Sequence, residues 1–241
     1  MIGFGIDLAG YTTGKTSLAV VEIAGRRAKA TLLRGSALSV KRESSAALKE
    51  ILRQEAAVLR RCLAIGPVAV DIPIDLQDLN NPDRAEYIWQ LTLRPIDRAV
   101  RAMPPLADRI GAPAARFAAI MREGKFAGLL GKTLFEAYPA GTLKTLKIRA
   151  NGYKGASGTA ALDSLCKTLK VEPRVSSDHD IDAIICAITA AAPADAVHDG
   201  KALGVQGRMP KGFRIPKGLS FDRIETAEAR FDAWMAERGA A

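Results

Sequence analysis

The chain has 241 residues, of which 48% are hydrophobic and 25% are charged. This composition supports a hydrophobic core and excludes intrinsic disorder. The net charge of +9 favours polyanionic partners such as nucleic acid, although a basic surface can also serve solubility alone.

The first residues carry no basic region, and Asp7 interrupts their apolar run, so we expect no signal peptide. The longest apolar stretch, residues 183–192, is too short to span a bilayer. The three cysteines form no CxxC pair and the chain has two histidines, which argues against a zinc site. We therefore predict a cytoplasmic protein with reduced cysteines and no membrane partner.

In chain order, the pattern first predicts three strands joined by short turns, over residues 2–8, 17–23 and 28–33. Short connections favour antiparallel hairpins. A helix is predicted over 43–64, and residues 68–72 are typical of a central parallel strand. The remaining predicted elements are helices over 83–93, 95–103 and 114–121, a strand over 133–138, helices over 159–169 and 177–192, a basic extended tail over 201–217, and a helix over 222–237.

Three antiparallel strands followed by alternating helices and strands are typical of the ribonuclease H-like fold, whereas a doubly wound fold alternates from the start. We therefore predict an α/β ribonuclease H-like domain over residues 1–200. Its mixed central sheet has about five strands, the first three antiparallel, flanked by helices, with a helical insertion at about 76–131. Residues 201–241 are predicted to be a basic segment and a helix that pack on the same domain. A monomer and a homodimer are equally compatible with the sequence.

Four acidic residues fall where such a fold can gather them. Asp7 and Asp71 end strands, Glu136 lies within a strand, and Asp182 flanks the apolar face of a helix. The carboxyl ends of adjacent parallel strands meet at one edge of a sheet, and a carboxylate in an apolar segment is costly without a partner. Carboxylate oxygens select Mg²⁺ or Mn²⁺, and two such ions can promote phosphodiester hydrolysis. We predict that these four residues are catalytic, although Glu136 could instead face solvent.

The helix predicted from Ser177 carries further candidates. At 100° per residue, Asp178 and Asp182 share a flank, and His179 precedes Asp182 by three residues. Acids at a helix start also stabilise its dipole, so a structural role is equally open for Asp178 and His179 and is preferred for Asp180. The predicted metal ligands are Asp7, Asp71, Asp178, His179 and Asp182.

Two further patterns have alternative interpretations. Residues 9–16 match a relaxed phosphate-binding P-loop, but the β-branched run 17–23 follows them where a P-loop needs a helix. A nucleotide-binding protein of the actin-like kinase type could use the same loop, but it needs two domains. Arg94, Arg98 and Arg101 recur at helical spacing, and we predict that they and Lys154 contact nucleic acid; the alternative is a solvated helix face.

Several segments, in this order, resemble the domain-of-unknown-function family 429: GIDLAG at 5–10, VAVDIPID at 68–75, RPIDRAVR at 94–101, LFEAYPAGTLK at 134–144, GYKG at 152–155 and HDIDAIICAITA at 179–190. That family is regarded as predicted ribonuclease H-like nucleases, so the resemblance implies that fold and a nuclease activity. The last segment also resembles the final motif of RuvC-like resolvases, which implies ligands at Asp182 and His179. Asp75 stands where the family is expected to have glycine.

These observations lead to one principal hypothesis, a nuclease that depends on Mg²⁺ or Mn²⁺ and hydrolyses phosphodiester bonds of DNA or RNA. The alternative is a non-catalytic nucleic-acid- or nucleotide-binding protein with the same fold.

Overall fold

A computed structural model describes residues 1–43, 46–76, 93–104, 108–155 and 158–240. Within these ranges the chain forms one mixed eight-stranded sheet with the strand order β6-β8-β3-β2-β1-β4-β5-β7. The strands are β1 (Ile2–Asp7), β2 (Ser17–Ala24), β3 (Arg27–Arg34), β4 (Val68–Val70), β5 (Leu134–Ala137), β6 (Val171–Glu172), β7 (Phe213–Arg214) and β8 (Arg223–Arg230).

The first three strands are antiparallel neighbours, as the short turns between them predict. By contrast, β4 pairs parallel with β1, and β5 pairs parallel with β4. The prediction of an α/β chain with a mixed sheet flanked by helices is therefore confirmed. The helices are α1 (Leu48–Ile65), α2 (Pro95–Ala99), α3 (Asp108–Gly124), α4 (Pro139–Thr145), α5 (Thr159–Leu169), α6 (Asp178–Ala191) and α7 (Phe231–Ala236).

The sheet separates two hydrophobic cores because side chains alternate between its faces. On one face, Phe4 and Ile6 of β1 pack with residues of α1, α3 and α7. On the other face, β2 and β3 pack against α5 and α6. Helix α6 is buried almost throughout, so it lies inside this second layer rather than on the surface.

Two glycines in β1 bring α6 against the sheet. A β-carbon on Gly3 would lie 2.5 Å from the Ala187 carbonyl oxygen, and one on Gly5 would lie 2.0 Å from the Ala183 carbonyl oxygen. Only glycine permits this approach. This contact places Asp7, two positions after Gly5, near the start of α6.

Two predictions about the sheet and the tail were wrong. In the described ranges the sheet has eight strands rather than about five, because β6 and β7 have two residues each and are too short to leave a periodic pattern. Residues 223–230 form β8, where a helix over 222–237 was predicted; only Phe231–Ala236 is helical. This charged segment has helix-forming residues, but pairing with β3 and β6 overrides that propensity.

The helix predicted over 83–93 lies almost wholly outside the described residues. No helix in the described ranges is long and apolar enough to cross a membrane.

Candidate active site

Asp7 and Asp71 lie at the same edge of the sheet. Ile6 of β1 is in register with Val70 of β4, so Asp7, the last residue of β1, lies beside Asp71, which follows β4. The Asp71 amide donates a hydrogen bond of 2.9 Å to the Ile6 carbonyl oxygen. Because side chains alternate along a strand, Asp7 points to the same face of the sheet as Gly5, which contacts α6. Asp71 points to the same face as Ala69, which also packs against α6. The structure therefore brings both aspartates to the α6 side.

Asp182 approaches the same region from α6. Its side chain is fully buried, and the Tyr153 hydroxyl donates a hydrogen bond of 2.7 Å to Oδ1. The Lys154 ammonium forms an ion pair with Oδ2. One turn earlier on α6, Asp178 Oδ2 accepts a hydrogen bond of 3.1 Å from the Gly155 amide. Asp178 and Asp182 therefore share a partner segment, as their common flank suggests, and that segment is the turn at residues 153–155.

The start of α6 orients His179. Ser177 is the N-cap, and its Oγ accepts from the Asp180 amide. His179 Nδ1 lies 2.7 Å from Asp7 Oδ2. The hydrogen bond to Asp7 raises the pKa of His179, and the negative charges of Asp7 and Asp178 add to this effect against the opposing effect of burial.

Asp180 is on the other flank of α6 and has a different environment. Its carboxylate accepts hydrogen bonds from Ser17 Oγ at 2.6 Å and from Arg34 Nη1 at 2.7 Å. Burial opposes ionisation of this group, but these donors outweigh it and the pKa of Asp180 is lowered. This placement agrees with the structural role preferred for Asp180.

The three carboxylates on the α6 side repel one another electrostatically. Removal from water raises the pKa of Asp71 well above its ordinary value, and the charge on Asp7 raises it further. Burial raises the pKa of Asp182 to about 6, with Lys154 opposing and Asp7 reinforcing the shift. Burial disfavours the Lys154 ammonium, but attraction to Asp182, Asp71 and Asp7 outweighs it, so the pKa of Lys154 is raised. A cation is therefore strongly favoured among these carboxylates.

Glu136 lies near Asp71 but has its own partner. Its side chain lies on the same face of the sheet as that of Leu134, which packs in the core on the side away from α6. Arg94 donates two hydrogen bonds to the Glu136 carboxylate, of 2.6 and 2.9 Å. The Ile74 amide donates a further bond of 2.8 Å to Oε2. Arg94 also pairs with Asp97 at 2.8 Å and is 3% exposed. This geometry does not join Glu136 to the three aspartates, and it gives no support to Arg94 as a phosphate contact. Arg98 and Arg101 are exposed, so their predicted contacts with nucleic acid stay predictions.

Two residues near the site were not predicted to belong to it. Tyr153 is 4% exposed and binds Asp182 directly; the only signal for it was its place beside Lys154. Asp75, in place of the expected glycine, is 6% exposed and accepts hydrogen bonds from Arg208 at 2.8 Å and the Lys211 amide at 2.7 Å. It therefore anchors the basic C-terminal segment beside the strand that carries Glu136.

The loop at residues 8–16 is not a P-loop, because β2 rather than a helix follows it. Its position is held by buried Arg116, which donates to the Ala9 carbonyl oxygen at 2.6 Å and to Glu55 Oε1 at 2.6 Å. The role of this loop in an actin-like nucleotide-binding protein stays a prediction.

The donor set fits a hard divalent cation by its chemistry, because it combines carboxylate oxygens with an excess of negative charge. The spacing of these side chains does not favour a bound ion. Among the residues that the structure describes, no group of three or more His, Cys, Asp and Glu side chains is arranged to hold a metal ion. With Lys154 on Asp182 and His179 on Asp7, side chains of the protein itself satisfy two of the three aspartates.

The chain matches no protein-family model, no curated protein and no solved structure.

Proposed function

We propose that this protein is a ribonuclease H-like, Mg²⁺- or Mn²⁺-dependent phosphodiesterase that acts on nucleic acid. The observation that carries the proposal is the convergence of Asp7, Asp71 and Asp182 on one face of the sheet, with repulsion among them. Perturbed carboxylates gathered at a sheet edge are typical of a functional site, since burying them has no benefit for folding.

The order of the five central strands, 3-2-1-4-5, supports the ribonuclease H-like part of the proposal, because that fold begins with three antiparallel strands and adds parallel ones beyond the first. The resemblance to domain-of-unknown-function family 429 is part of the same proposal. Its quoted segments include Asp7, Asp71, Lys154, His179 and Asp182, all of which contribute to this site.

In the proposed reaction, Asp7, Asp71 and Asp182 would hold the cation, and Asp178 would be a neighbouring ligand candidate. A divalent ion there would supply Lewis-acid stabilisation of the negative charge that develops on the phosphoryl oxygens. His179 donates its Nδ1 hydrogen to Asp7, which leaves Nε2 as the atom that gains or loses a proton. Asp7 is thus both a candidate ligand and the group that orients His179.

A hydrolysis assay tests this proposal. Purified protein is incubated with Mg²⁺ or Mn²⁺ and with labelled single-stranded, double-stranded and branched DNA and RNA, and cleavage is followed on denaturing gels. We expect the wild type to cleave at least one substrate. Asp71→Asn should lower the rate by about 100-fold or more, since it removes a group that binds the cation. The matched control Asp163→Asn changes a partly exposed acid on α5 and should cleave like the wild type.

A non-catalytic nucleic-acid-binding protein is the second candidate. The observation in its favour is that the described carboxylates are not spaced to hold an ion, while Lys154 already neutralises Asp182. If the protein binds these nucleic acids but cleaves none with either metal, the nuclease proposal is wrong and this alternative replaces it.

A further inference from the structure

Lys154 reaches the site from the solvent side. Its own side chain is 48% exposed, whereas that of Asp182, with which it pairs, is fully buried. Attraction to Asp182, Asp71 and Asp7 holds the ammonium in this position. A positively charged group that belongs to the chain thus lies where the proposed metal needs to be.

The turn that carries Lys154 is held by other contacts. Gly152 and Gly155 have φ angles of +76° and +86°, which glycine adopts readily, and no atom of the described residues lies within 4 Å of a β-carbon built on either. Tyr153 is buried with its hydroxyl on Asp182, and the Gly155 amide binds Asp178. Because these contacts secure the turn, the long Lys154 side chain can leave Asp182 while the backbone stays in place.

We propose that Lys154 is a tethered cation that occupies the carboxylate site in the metal-free protein and that Mg²⁺ or Mn²⁺ binds by displacing its ammonium from Asp182. This inference rests on the proposed function. Two cations cannot share one carboxylate oxygen without strong repulsion, so the lysine and the metal compete. In the metal-free protein the Lys154 ammonium neutralises part of the negative charge of the aspartates. Because the metal must displace it, the ammonium also weakens metal binding. Once displaced, the ammonium is free to contact a phosphate, the role predicted for Lys154.

Isothermal titration calorimetry with Mn²⁺ alone tests the competition. The proteins compared are the wild type, Lys154→Met and Lys154→Gln, which remove the charge and differ in hydrogen bonding. The matched control is Lys147→Met, which removes a charge from an exposed lysine seven positions earlier. We expect both Lys154 variants to bind Mn²⁺ about tenfold more tightly or better, and the control to match the wild type.

The outcomes separate this inference from the proposed function. If the wild type binds Mn²⁺ and neither Lys154 variant binds more tightly, the inference is wrong and the proposed function stands. If none of the proteins binds Mn²⁺, with nucleic acid present as well as absent, both are wrong. Binding by a Lys154 variant alone would support the inference strongly. Lys154→Gln covers the case in which Lys154→Met fails to fold.

Discussion

Gly5 and Ala183 are in such close contact that a β-carbon on Gly5 would lie 2.0 Å from the Ala183 carbonyl oxygen. This contact brings β1 and α6 together, and with them Asp7 and Asp182. Gly5→Ala should lower the free energy of unfolding by about 3 kcal/mol, because backbone rather than a movable side chain blocks the added methyl group. Urea denaturation measures the loss.

Gly128→Ala is the matched control for that substitution, since a β-carbon built there has no neighbour within 4 Å in the part of the chain that the structure describes. It should change the free energy of unfolding by less than about 1 kcal/mol. Equal effects of the two substitutions would show that β1 and α6 are not packed as described.

Asp182 makes stability depend on pH in the metal-free protein. Its pKa is raised from 3.8 to about 6, so the folded chain holds this proton more tightly than the unfolded chain. The resulting stability is fully present below the unfolded value and is lost as the pH rises through about 6. Asn at position 182 cannot ionise, so the Asp182→Asn variant keeps this stability at high pH. Above pH 6 the variant should be more stable than the wild type by roughly 2–3 kcal/mol.

Thermal unfolding of both proteins in a chelator, from about pH 4 to pH 8, checks this prediction. The difference should disappear at the acidic end. If Asp182→Asn is less stable than the wild type at every pH, the bonds from Tyr153 and Lys154 outweigh the cost of burying the charge.

Arg94 should contribute mainly to stability. Arg94→Met leaves Glu136 and Asp97 buried without their cation, which should lower the free energy of unfolding by about 3–5 kcal/mol. Arg26→Met breaks an exposed pair with Asp222 and should lower it by less than about 1 kcal/mol. Urea denaturation compares the two variants; a small loss for Arg94→Met would reopen its assignment as a nucleic-acid contact.

His179 should have a pKa above the ordinary histidine value, because its Nδ1 bonds to Asp7. NMR titration of the imidazole resonances measures it directly, and the chain has two histidines, so one substitution assigns both. Asp7→Asn removes the negative charge and should lower the pKa of His179. An unchanged value in Asp7→Asn would mean that the two side chains do not interact in solution.

The sequence predicted the position of Asp7 and Asp71 because both end short apolar strands, and parallel strands bring their carboxyl ends together. It was less informative about Glu136. Strand alternation sets its face, but its partner Arg94 lies 42 positions away, and a contact at that distance has no local pattern. The contact between Lys154 and Asp182 was missed for the same reason, because nothing near Lys154 in the sequence indicates it. Lys154 was therefore predicted to contact nucleic acid.

The error at residues 223–230 has a different cause. This segment alternates between buried and exposed positions, with Ile224 and Thr226 buried, but its composition favours a helix. Pairing along the whole of β3 decides the outcome, and that pairing depends on the tertiary fold rather than on local sequence.

The proposed function requires Asp7, Asp71 and Asp182 to form one cation site. Calorimetric titration with Mn²⁺ of the wild type and of Asp7→Asn, Asp71→Asn and Asp182→Asn tests this requirement. We expect the wild type to bind and each substitution to weaken binding by about tenfold or more, because each removes an anionic ligand from the same ion. Failure of the wild type to bind Mn²⁺, with nucleic acid present as well as absent, would contradict it.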